Sequence, residues 1–69
     1  MGIQHGAPST RMVNGLRYSL YKEYNPMFGE DEQKSDATKM KAEGWKIKSI
    51  TTKKGRFRII ERSLYIRRP

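Results

Sequence analysis

The side chains able to do covalent chemistry are few. His5 is the only imidazole among 69 residues and cysteine is absent, so there is no thiol nucleophile, no disulfide and no thiolate zinc site. His5 falls in a run of Gly, Pro, Ser and Thr, with no group placed by a local pattern to orient it as a base; it reads as a solvated side chain. Glu30, Asp31 and Glu32 offer hard oxygen ligands but lack the spaced ligands and turn glycine of a calcium loop. Three consecutive acids suit the positive end of a helix dipole better. No glycine-rich phosphate loop or nucleophile elbow occurs. The pattern predicts a protein that is not an enzyme and uses neither metal nor cofactor.

Anion binding is the chemistry these residues do offer. The formal net charge is +8, and residues 46–69 hold nine Lys and Arg against Glu61 alone. Residues 30–45 carry five acids against three lysines, so the excess is confined to the last third of the chain. Lys46, Lys48, Arg56, Arg58 and Arg62, with Lys53 and Lys54 at a turn, are the expected nucleic-acid-binding residues. A two-stranded ribbon fits the major groove of DNA, and clustered cations displace the counterions of a phosphate backbone. Tyr65, Tyr18 and Tyr21 offer rings on which bases could stack. The plainer reading of the same charges is that they keep an edge strand from aggregating and the chain in solution. Ile50 and Ile60 fall among the cations, and with Tyr65 they form a candidate interface for a second copy or an acidic protein surface. Two functions follow as expectations: a small basic nucleic-acid-binding protein, or a protein-interaction module that docks on an acidic partner, with a homodimer compatible with either.

These side chains act together only if the chain folds to bring them to one surface. Asn14-Gly15 is a hairpin signal, and Leu16, Tyr18 and Leu20 alternate with Arg17, Ser19 and Tyr21 as a strand does. A helix would line up Leu16, Leu20 and Tyr24 instead, but the tyrosines favour β structure and Asn25-Pro26 ends the run abruptly. A short helix follows, beginning at the acids 30–32 or at Ser35 or Asp36, with Ala37 and Met40 inward and Gly44 as its left-handed terminator. From Trp45 the chain reads as β. A turn at Lys53-Lys54-Gly55 would set Thr52 opposite Arg56, Ile50 opposite Arg58 and Lys48 opposite Ile60. One face would then collect Trp45, Ile47, Ser49, Thr51, Phe57 and Ile59, and the other the cations. Leu64 and Ile66 fall out of phase with Phe57 and Ile59, which calls for a bulge or bend between Ile60 and Ser63. Directly after a helix-ending glycine, Trp45 is expected mainly in the core.

The ending resembles a family of short uncharacterised domains of prokaryotes and their phages. The resemblance rests on Ala42-Glu43-Gly44-Trp45-Lys46-Ile47 and on the closing Leu64-Tyr65-Ile66-Arg67-Arg68-Pro69, and covers the last half of the chain. It implies a strand, a helix, a Gly-Trp step and a β-hairpin ending in a basic-basic-proline tail. Two departures stand out: the helix is lysine-rich where the family's is leucine-rich, and Lys46 takes the place of an acid. The resemblance brings no activity with it.

The expectation is thus one α+β domain over residues 11–69, a small antiparallel sheet of three to four strands with one helix on one face, in the order β(β)-α-β-β, preceded by a flexible tail over residues 1–10. A chain of this size buries only about 60% of its unfolded surface, so its core is thin. No apolar run approaches the roughly 20 residues needed to span a bilayer. The N-terminus lacks a secretory profile, and Gly6 stands where a myristoylation motif wants Ser or Thr. The expected setting is cytoplasmic, with no membrane partner.

Overall fold

Asn14 and Gly15 both adopt positive φ, 53° and 80°, which gives the tight two-residue turn whose twist matches paired strands. It joins β1 (Thr10–Val13) to β2 (Leu16–Glu23), with Val13 opposite Leu16. The chain then forms α1 (Glu30–Ala42), β3 (Lys46–Lys54) and β4 (Arg58–Arg67). These elements come from a computed structural model that describes residues 7–69; His5, Gly6 and most of the expected tail lie outside the described residues. All pairings are antiparallel, and the sheet order is β1-β2-β4-β3. Strand β4 is therefore central, and β3 is an edge.

The link from β2 to α1 is built on Asn25. Its Oδ1 accepts the amide protons of Met27 and Phe28, both at 2.9 Å, and its carbonyl accepts that of Gly29 at 2.8 Å. Gly29 is buried, and a Cβ there would stand 2.7 Å from both the Asn25 oxygen and the Tyr24 Cβ, so only glycine fits. The helix starts at Glu30 with its three acids in the first turn and Lys39 and Lys41 in the last, in the sense that its dipole favours. Gly44, at φ 97°, ends it. Its amide donates to the Lys41 carbonyl, and the Trp45 amide donates to that of Met40. This is the Schellman arrangement, with Trp45 packed back on Met40 and the rest of the core.

That core is small. Tyr24, Met40 and Leu64 are buried together, with Ala37, Trp45, Ile47 and Ile66 against them. The helix spreads its few apolar groups over a largely polar surface, so packing rather than propensity holds it. The Tyr24 hydroxyl donates to Asp36 Oδ2 at 2.8 Å. Burial, and then the bond to that carboxylate, push the phenol's pKa well up. Gln33 does the work of an apolar anchor by other means. Only 4% exposed, it donates from Nε2 to the carbonyls of Ser63 (2.9 Å) and Ile50 (3.2 Å), tying α1 to both hairpin strands.

The hairpin register differs from the expected one. Ile47 faces Ile66, Ser49 faces Leu64, Thr51 faces Arg62 and Thr52 faces Glu61, while Lys54 faces Arg58. The loop is Gly55-Arg56-Phe57, not Lys53-Lys54-Gly55, although Gly55 keeps its left-handed φ of 72°. A turn at Lys53 would have left residues 63–67 hanging past the end of β3. The observed turn pairs them, and Leu64 and Tyr65 become fully buried. The phase break comes where alternation fails in the sequence: Lys53 faces Ile59, so Ile60 is an extra residue bulged out of β4. Trp45, Ile47, Ser49 and Thr51 share the helix-covered face as expected. Their β4 partners there are Ile66, Leu64 and Arg62, while Phe57 sits on the loop, 91% exposed.

Residues 7–10, read in the sequence as part of a tail, are bonded into the sheet. The Leu20 amide donates to the Ser9 carbonyl (2.9 Å), the Ala7 amide to Glu23 (3.1 Å), and the Tyr65 hydroxyl to the Pro8 carbonyl (2.6 Å). Among the described residues no helix is long and apolar enough to cross a membrane.

Candidate nucleic-acid interface

The cations fall into two groups according to what lies opposite them. In the body of the sheet they have partners. Arg11 on β1 reaches across to Glu61 on β4 at 2.7 Å and stands 4.9 Å over the Tyr65 ring. Glu61 also accepts protons from Thr52 and Ser63, so one carboxylate gathers three donors on the face away from the helix. On the helix side Lys22 pairs with Glu32 and Asp36, and Lys34 with Glu30 one helical turn back.

Arg62, expected on the open basic face, belongs to this body. It is 6% exposed on the helix-covered face, where Nη1 donates to Gln33 Oε1 (3.1 Å) and Nε to the Pro26 carbonyl (3.2 Å). The register places it there: its partner Thr51 is on the same face as Ile47. Tyr65 is likewise no exposed interface residue. It is 0% exposed, covered by Arg11 and tied to Pro8.

The remaining expected residues stay at the surface. Lys46 and Lys48 are exposed on edge strand β3, opposite Arg67 and Tyr65 on the face away from the helix. Lys53 and Lys54 end the same strand, Arg56 is in the loop, and Arg58 opens β4. Among the described residues none of these six makes an ion pair; the described ion pairs use Arg11, Lys22 and Lys34. Two cross-strand pairs set like charges directly opposite one another, Lys54 with Arg58 and Lys46 with Arg67. Such pairs cost stability. Ile50 is half-buried, and Ile60, pushed out by the bulge, is 52% exposed. Tyr18 is half-buried with the Arg67 guanidinium 5.8 Å from its ring centre, and Tyr21 is exposed.

Two groups beside the hairpin were not singled out from the sequence as surface features. Phe57 at the loop, with Met27 at 77% exposed, borders an open groove of about 510 Å³ lined also by Ile59, Lys54 and Arg58. At the opposite end, Arg17 and Arg68 flank Trp45, whose ring is half-buried rather than enclosed. Only the basic run Arg67-Arg68 hinted at the second group, and nothing local brings Arg17 to it; the β2–β4 pairing does. Among the described residues no group of three or more His, Cys, Asp or Glu could hold a metal ion. No protein-family model, no curated protein and no solved structure matches the chain.

Proposed function

We propose that this chain binds nucleic acid through the β3–β4 hairpin, with Lys46, Lys48, Lys53, Lys54, Arg56 and Arg58 meeting phosphates. The observation behind this reading is the register that sets Lys54 opposite Arg58 and Lys46 opposite Arg67, with no ion-pair partner for any of the four among the described residues. A cross-strand cation pair weakens the hairpin, and a polyanion laid across it turns that repulsion into attraction. Solubility alone would be served by cations spread over the surface. Here Glu61, the one acid of residues 46–69, is paired with Arg11, and the rest of the hairpin's charge is of one sign.

Fluorescence anisotropy with a labelled oligonucleotide tests the proposal. Binding is expected at low salt, with log K falling against log salt by about 0.7 per phosphate contact for a single strand and about 0.9 for duplex DNA. Replacing Lys53, Lys54, Arg56 and Arg58 with serine is expected to weaken binding and flatten that slope. No binding to DNA or RNA at low salt would sink the reading.

A second reading has its own observation. Met27 and Phe57 are 77% and 91% exposed at the hairpin's loop end, with Lys54 and Arg58 beside them. Apolar groups rimmed by cations suit an acidic protein or a second copy. Partner capture or self-association lost in Phe57→Ser, with oligonucleotide affinity unchanged, would favour it.

A further inference from the structure

We infer that the Trp45 end of the sheet seats an unpaired base, so that the nucleic acid bound is single-stranded; this rests on the nucleic-acid reading above and narrows it. The Schellman turn fixes the indole at the rim of the core rather than inside it. The ring is a wall shared by two clefts. One, of about 490 Å³, lies between Trp45, Ser19 and Ile66 and is lined also by Arg17, Arg67 and Arg68. The other, of about 410 Å³, lies between Trp45, Gly44, Ile47 and Pro69, with Lys41 and Lys46 at its margin. Five cations thus line the two clefts that share Trp45, and neither lining contains an Asp or Glu side chain. Volumes of this size fall in the range of small-ligand sites.

One detail favours a nucleotide over a bare anion. The Arg68 guanidinium stands 5.3 Å from the Trp45 ring centre, so a group that stacks on the indole and carries a phosphate meets the ring and the charge together. A duplex hides the faces of its bases within the stack, whereas a single strand can turn one outward onto an aromatic ring. The seat also lies at the far end of β3 from Lys53 and Lys54. A strand running along the edge from loop to seat would pass Lys48 and Lys46 on the way.

Trp45 is the only tryptophan, so its emission reports on the seat directly. The protein is titrated with oligo(dT), oligo(U), a duplex of matched length and inorganic polyphosphate, following indole fluorescence and anisotropy together. Both single strands are expected to quench Trp45 on binding and to bind more tightly than the duplex, and polyphosphate to bind without quenching. Preference for oligo(dT) or oligo(U) distinguishes DNA from RNA. The double variant Arg17→Ser/Arg68→Ser changes two exposed side chains, and is expected to lose roughly tenfold in single-strand affinity, about what one stacked base contributes. Trp45→Leu, with its fold checked by circular dichroism, is expected to lose a similar factor. Oligonucleotide binding that leaves Trp45 emission unchanged, or quenching reproduced by polyphosphate, overturns the inference while the nucleic-acid reading stands. Absence of binding by every oligonucleotide overturns both.

Discussion

The two halves of β4 carry the same kinds of residue and meet opposite fates. In the inner half, Ser63, Leu64 and Tyr65 lie between β2 and β3 with Glu61 and Arg62 leading into them, and each polar group has a partner: Glu61 with Arg11, Arg62 with Gln33, Ser63 with Glu61 and Tyr65 with Pro8. In the outer half, Arg58 and Ile59 pair only with the end of β3, Ile60 bulges out unpaired, and Arg58 stands opposite Lys54. The bulge at Ile60 separates them. A cation's availability for a ligand is therefore set by what the register puts across from it, not by its place in a basic run. Arg62 and Arg58 are four residues apart, and only one of them is free to meet a phosphate.

The comparison breaks most readily in the core. Leu64→Ala removes a fully buried side chain and is expected to cost about 2–5 kcal/mol, a large share of the roughly 3–10 kcal/mol that a chain of this length has in total. Ile60→Ala, on the bulge, is expected to cost well under about 1 kcal/mol. Urea unfolding followed at the helical circular dichroism band measures both, and equal losses would mean that the bulge is not a boundary.

Next come the two arginines. Arg62→Ala strands the buried Gln33 oxygen and is expected to lose about 1–3 kcal/mol, whereas Arg58→Ala should change stability by no more than about 0.5 kcal/mol and could raise it by relieving Lys54. The order reverses for oligonucleotide affinity if Arg58 is measured against the conservative Arg62→Lys. Removing the Tyr65 hydroxyl with Tyr65→Phe tests the strap at Pro8, with an expected loss near 1 kcal/mol and faster amide exchange at Ala7 and Leu20.

Tyr24 gives the smallest effect near neutral pH and a distinct one in base. An unfolded tyrosine loses its proton near pH 10, while burial and Asp36 keep the folded one protonated to higher pH. The stability this contributes is present below about pH 10 and is lost as pH climbs toward the raised value. Unfolding curves at a series of pH values should therefore fall more steeply above that point for the natural chain than for Tyr24→Phe. Parallel curves would mean that the phenol is not sheltered.

Much of the architecture was legible locally. Asn14-Gly15 encodes its turn because both residues tolerate positive φ, and Gly44 before Trp45 encodes the helix end for the same reason. The alternation after Leu16 marked β2, and its failure past Ile60 located the bulge. The concentration of cations after Trp45 was visible as well. Each of these is a property of residues within a few positions of one another.

The sequence by itself thus determined the order of elements, the two glycine-dependent turns and the sign of the surface charge. Only the tertiary structure decided the hairpin register, the burial of Arg62 and Tyr65, the exposure of Phe57 and the gathering of Arg17 beside Trp45. The reason is physical. A turn at Lys53 or at Gly55 satisfies the same local rules, and the choice between them depends on whether Leu64 and Tyr65 find cover. That cover comes from α1 on one face, and from Arg11 and Pro8 on the other, across separations of up to 57 residues.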